Sequence, residues 1–107
     1  MSSDKYIVVM TTTDQKVVSD RIIEELLSEK LAACVQVEPI VSQYFWDGKV
    51  CESKEFRLII KSQESLYQQI EAKINELHNY EVPEILSIDV SNGFTPYLNW
   101  IKEVTLN

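Results

Sequence analysis

The feature that most constrains this chain is a two-residue turn, Asp47-Gly48, set between two long extended patterns. Both residues tolerate the positive φ that a tight hairpin turn demands, so the flanking runs read as one antiparallel pair. The incoming run starts at Leu31-Ala-Ala-Cys-Val35 and passes through Val37, Ile40 and Val41 to Tyr44-Phe-Trp46; the return runs from Lys49 to Lys61. Strands of ~13 residues at ~3.3 Å each reach ~43 Å, whereas a folded chain of this size has a radius of gyration of only ~13 Å. The hairpin is therefore expected to overhang. An overhang bearing Tyr44, Phe45, Trp46 and Val50 offers apolar surface and unpaired edges together, a combination that proteins cover with another chain. A homo-oligomer closed by rotation is the expected result.

The rest of the chain fills in around that pair. Tyr6-Ile-Val-Val-Met10 is a short apolar, β-branched run and reads as a first strand. Thr11-Thr-Thr-Asp14 supplies N-cap candidates for a helix over 15 to 29, in which Val18, Ile22, Ile23, Leu26 and Leu27 recur at helical spacing. In the return strand Phe56, Leu58 and Ile60 share one face, with Glu55, Arg57 and Lys61 on the other. Pro39 lacks a ladder donor, which predicts a bulge or an unpaired edge. Leu66, Ile70, Ile74 and Leu77 predict a second amphipathic helix over 63 to 78. After the loop His78 to Pro83, residues 84 to 91 alternate as a fourth strand with Leu86, Ile88 and Val90 expected inward, and Asn92-Gly93 ends it. Thr95 as N-cap and Pro96 in the first turn open a short last helix holding Tyr97, Leu98, Trp100, Ile101 and Val104. The order β-α-β-β-α-β predicts an α+β, ferredoxin-like single domain over residues 1 to 107: an antiparallel sheet with two helices on one face, a long central hairpin and a short C-terminal helix.

Charge and motif content narrow the function classes. A formal net charge of -7 opposes phosphate binding, so no nucleic-acid partner is expected, and cations are the more natural small ligands. The lead-in Met1-Ser-Ser-Asp-Lys5 shows no basic segment with an apolar stretch, and no apolar run approaches the ~20 residues that span a bilayer. A cytoplasmic, soluble protein without membrane contact is the expectation. In that setting Cys34 and Cys51, which form no CxxC motif, are expected to be thiols. The sequence holds no HExxH, Gly-rich phosphate loop or nucleophile elbow, and a non-enzymatic role is expected.

Single residues with metal or ligand chemistry each have a plainer reading beside them. His78, the only histidine, offers imidazole to Cu(II) or Zn(II), or else simply meets a helix C-terminus. Glu81 and Glu84 flank Pro83 and can share a cation, or an acid and base role, if the loop folds back; otherwise they are a solvated loop and a strand start. Met10 is a thioether donor or core filling, Cys34 a small buried hydrophobe, and Cys51 a soft donor or an interface thiol. Tyr44, Phe45 and Trp46 read as inter-subunit packing before a ligand platform, Trp100 with Tyr97 and Ile101 as a seal on the last helix, and Asp14 as a cap before the wall of a cleft.

Five stretches, Leu31-Ala-Ala-Cys-Val35, Tyr44-Phe-Trp-Asp-Gly-Lys49, Leu58-Ile-Ile-Lys61, Tyr80-Glu-Val-Pro-Glu-Ile85 and Tyr97-Leu-Asn-Trp-Ile101, resemble in order and spacing those of the CutA family of divalent-cation tolerance proteins. The resemblance implies a ferredoxin-like homotrimer built through sheet edges and the 44 to 50 hairpin tip. It implies a response to metal ions with copper or another divalent cation weakly bound, the ligands falling on Met10 at the end of strand one and on His78, Glu81 and Glu84 around the loop before strand four. The architecture is similar to that of the PII signalling proteins, which implies as an alternative a regulatory trimer holding a small effector or partner protein in inter-subunit clefts. Met10 stands where relatives can carry Cys, and Asn79 where a Pro often follows the loop histidine, so a tight metal site is not implied.

Overall fold

The computed structural model describes residues 4–106; the lead-in Met1-Ser2-Ser3 lies outside them. The elements are β1 (Tyr6–Thr13), α1 (Lys16–Ser28), β2 (Cys34–Trp46), β3 (Lys49–Gln63), a 3-10 turn (Glu64–Leu66), α2 (Tyr67–Leu77), β4 (Ile85–Asp89) and α3 (Thr95–Val104). The strands form one antiparallel sheet in the order β2-β3-β1-β4. This is the expected α+β, ferredoxin-like arrangement.

Alternation fixes which side chains make the core. Ile7 and Val9 of β1 and Leu58 and Ile60 of β3 meet in register on one face, where Ile22 and Leu26 of α1 and Ile70 and Ile74 of α2 close over them. Each of these is essentially inaccessible to water. Burying one such aliphatic side chain is worth roughly 1.5 to 3 kcal/mol, so the two helices are held by apolar contact more than by their intrinsic propensity. α1 ends in a Schellman turn: Leu31 N–H donates to the Leu26 carbonyl at 2.9 Å and Lys30 N–H to that of Leu27 at 3.1 Å. Lys30 supplies the required left-handed residue at φ 58, a conformation that glycine adopts more easily.

The hairpin overhangs as its length demands. β1 covers β3 only from Phe56 to Gln63, so Lys49 to Glu55 have β2 on one side and, among the described residues, no strand on the other. The molecule is accordingly 49 × 26 × 21 Å. Val41, Phe45, Trp46 and Val50 on this ribbon are between 61% and 81% exposed. The turn itself has Asp47 and Gly48 both at positive φ, 53 and 73.

Several sequence expectations are corrected. β1 continues through the three threonines to Thr13, because β-branched residues suit a strand and Arg57, Phe56 and Leu58 stand opposite to pair with them. The N-cap of α1 is consequently Gln15, without a side-chain cap. Of the two readings of Pro39, the edge holds and the bulge does not: β2 is an edge strand, which tolerates a missing N–H, and the register runs unshifted from Cys34↔Lys61 to Trp46↔Lys49. Residues 64 to 66 form a 3-10 turn before α2, and Phe94, not Thr95, is the N-cap of α3.

β4 turns its apolar side the other way from that expected. Leu86 and Ile88 lie opposite Met10 and Val8, on the sheet face away from the helices, and are 54% and 51% exposed. With half-buried Ile59 they make that face apolar too. The sheet therefore has two apolar faces, of which α1 and α2 cover one.

Candidate functional site

Where β1 ends, the loop after α2 folds back on it and is tied down by polar contacts. His78 is the C-cap of α2 in extended conformation, which turns its ring toward the strand. Its Nε2 lies 2.8 Å from the Thr12 carbonyl, and the Tyr80 amide donates to its Nδ1 at 3.0 Å. Asn79 accepts from Thr13 Oγ1 at 2.6 Å and donates to Asp14 Oδ1 at 2.9 Å. The Tyr80 ring packs on His78 with centroids 4.9 Å apart, and its hydroxyl donates to Glu55 Oε2 at 2.6 Å.

Glu55, on the face of β3 opposite Phe56, Leu58 and Ile60, is only 8% exposed, because Tyr80 covers it. Burial, then the hydrogen bond and negative charge of Glu55, push the Tyr80 hydroxyl well above the usual phenol range. Deprotonating it would set a phenolate against a carboxylate.

Beside this pair opens a groove of about 730 Å³, lined in part by Thr12, Tyr44, Trp46, Glu55, Tyr80, Glu81 and Glu84. The volume falls in the range of small-ligand sites. Its described lining includes three carboxylates and no Lys or Arg, so it favours positively charged or metal-bound ligands over free anions. Tyr44 is held in place by a 2.7 Å hydrogen bond between its hydroxyl and Ser53 Oγ.

The sequence-predicted residues divide. Glu81 and Glu84 do share one groove, so the loop folds back as that reading required. His78 stands behind Tyr80 with both ring nitrogens already hydrogen-bonded. Met10 lies on the open sheet face, paired with Ile59 and Leu86. Among the described residues, no three His, Cys, Asp or Glu side chains are gathered closely enough to hold a metal. Cys34 and Cys51 are free and half-buried, the second across the hairpin from Tyr44. Among the described residues no helix is long and apolar enough to cross a membrane.

Glu55 and Tyr80 are the site residues that sequence reasoning missed. They are 25 positions apart, and only the overhang of β3 past β1 brings them together. The one available signal was a carboxylate alternating onto the same face as Arg57 at the point where pairing with β1 was due to stop.

Comparison with known proteins gives a consistent result. Residues 7–104 match the family described as CutA1 divalent ion tolerance protein. The divalent-cation tolerance protein CutA of Pyrococcus horikoshii is 37% identical over 99 residues, 92% of this chain and 97% of its own length. The chloroplastic protein CutA 1 of Oryza sativa is 41% identical over 100 residues, and there the chain spans 56% of the relative's length. The crystal structure of CutA1 from Oryza sativa superposes with a TM-score of 0.91 at 40% identity, covering 95% of this chain and 94% of that one.

Proposed function

The chain belongs to the CutA1 divalent ion tolerance family, and from that premise we propose that it takes part in the response to divalent cations as a homotrimer that binds copper or another divalent cation weakly. The observation that carries the reading is the groove in which Glu81 and Glu84 stand together with no cationic side chain among the described lining. His78 is the borderline donor nearest to them in sequence, and Met10 is a soft donor on the adjoining strand. Low affinity follows from a donor set that is not gathered in advance, since ordering ligands on binding costs free energy. Titration with Cu(II) and Zn(II) tests this: the double variant His78→Ala, Glu84→Ala is expected to lose binding. Unaltered stoichiometry and affinity would take both residues out of the site.

The trimer rests on the overhanging ribbon and the second apolar sheet face, both of which expose surface that a closed ring would bury. Sedimentation equilibrium is expected to give three chains per particle at micromolar concentration; a well-folded monomer there ends the proposal. A cytoplasmic location belongs to the same reading, supported by free Cys34 and Cys51 and checked by cell fractionation.

A second reading, a PII-like regulatory trimer, is favoured by one observation: Tyr44, Trp46 and Tyr80 give the groove aromatic walls suited to an organic effector. Thermal stabilisation by a metabolite in the presence of a chelator supports it. Stabilisation only by metal removes it.

A further inference from the structure

Among the described carboxylates that line the groove, Glu55 alone is withdrawn from water: it is 8% exposed, whereas Glu81 and Glu84 are open to solvent. The Tyr80 hydroxyl donates to its Oε2, and no donor among the described residues reaches its Oε1. A nearly buried carboxylate with an acceptor oxygen left over favours a ligand that brings both N–H donors and positive charge.

The other two acids say what shape that ligand has. Glu81 and Glu84 line the same groove, yet among the described residues no three such side chains are gathered closely enough to grip one metal ion. A volume of about 730 Å³ is also far more than one ion needs, since a single water molecule takes up ~30 Å³ of liquid. Negative charges set apart along one groove match positive charges that are themselves set apart. The wall shared with them is aromatic, made of Tyr44, Trp46 and Tyr80. Two of these rings are pinned by their hydroxyls, Tyr44 to Ser53 at 2.7 Å and Tyr80 to Glu55 at 2.6 Å. Ring faces attract ammonium groups and pack against methylenes, so fixed rings suit an alkyl chain that carries charge.

We propose that the groove binds an aliphatic polyamine, with one ammonium donating to Glu55 Oε1, a second held by Glu81 and Glu84, and the methylenes between them against the rings. The proposal deepens the reading of the groove as the site of an organic effector and rests on it. A quaternary ammonium brings no N–H to Oε1, and a monoamine leaves Glu81 and Glu84 unmatched. Affinity is therefore ordered spermidine, butylamine, tetramethylammonium.

The test is calorimetric titration of the full chain in the presence of EDTA. Spermidine is expected to bind roughly fivefold more tightly than butylamine, the worth of one further exposed ion pair. Glu55→Gln keeps an acceptor for the Tyr80 hydroxyl and is expected to weaken spermidine roughly tenfold. Glu81→Gln with Glu84→Gln, at exposed positions that folding does not depend on, is expected to abolish the preference for spermidine over butylamine. This second variant decides the matter even where the first fails to fold. Absence of spermidine binding, equal binding of the two amines by wild type, or titrations unchanged in both variants overturns the proposal, as does capture of a lysine-rich peptide by a chain that ignores spermidine. If an organic compound of another class stabilises the chain in EDTA while spermidine is inert, the polyamine falls and the effector reading stands. If zinc alone stabilises it, both fall.

Discussion

From Phe56 to Gln63, β3 lies between two strands and under two helices; from Lys49 to Glu55 the same strand has one neighbouring strand, and only Glu55, under Tyr80, is buried. Leu58 and Ile60 in the first stretch are 0% exposed, whereas Val50 in the second is 67% exposed, and Phe45 on the partner strand 81%. The residue types are alike. What differs is whether this chain supplies the other surface. Apolar alternation thus has two outcomes in one hairpin: in the body it meets contacts made within the chain, and in the ribbon it leaves apolar surface exposed, which the proposed trimer would bury.

The sharpest way to break that distinction is to remove apolar volume from each part and compare. Leu26→Ala, at a fully buried position of α1 facing the sheet, is expected to lower unfolding stability by about 2 to 5 kcal/mol in urea titrations, through lost transfer energy and the cavity left behind. The double substitution Phe45→Ser, Trp46→Ser deletes more side-chain volume but is expected to leave circular dichroism unchanged. Its effect should appear in sedimentation, as loss of the three-chain species. If it unfolded the chain as Leu26→Ala does, the ribbon would be part of the subunit's own core.

A third substitution probes the junction of the two parts, where Tyr80 covers Glu55. Tyr80→Phe is expected to cost about 1.5 to 3 kcal/mol at neutral pH, the worth of one hydrogen bond to a charged group. The phenol is held above its unfolded value, so the stability it contributes is fully present below pH ~10 and is lost as the pH rises toward the folded value. The variant should therefore show a flatter loss of stability above pH ~10; an identical alkaline slope would mean that the hydroxyl is not coupled to folding. The smallest effect belongs to the body alone: Lys30→Gly relieves a left-handed conformation and is expected to stabilise by about 0.5 kcal/mol, seen as a slight rise in Tm.

The legible parts of this molecule were those in which local pattern and tertiary need agree. Asp47-Gly48, the alternation of Phe56, Leu58 and Ile60, and the helical spacing of Ile22 with Leu26 and of Ile70 with Ile74 each had one satisfactory arrangement, and the structure has it. β4 was misread because alternation separates two faces without saying which one meets helices. The rule that apolar residues point inward fails where a sheet is apolar on both sides, as at Leu86 and Ile88. Thr11 to Thr13 were misread because threonine serves equally as cap and as strand, and the choice depended on partners more than 40 positions away. At the candidate site, the shared groove of Glu81 and Glu84 was legible from their closeness around Pro83. The locking of His78 and the pairing of Tyr80 with Glu55 were not, since both depend on where β1 stops relative to the hairpin.

The apolar sheet face beyond Met10, Leu86 and Ile88 also sets a problem of timing for each newly made copy. In the proposed trimer, orderly association would draw on the same patch as indiscriminate clumping, and both would quicken as copies accumulate. Charge separates the two: at -7 per chain, random encounters are repelled, and only an approach that matches shape closely enough to outweigh the repulsion is retained. Acidity in this chain is thereby a filter on which collisions last.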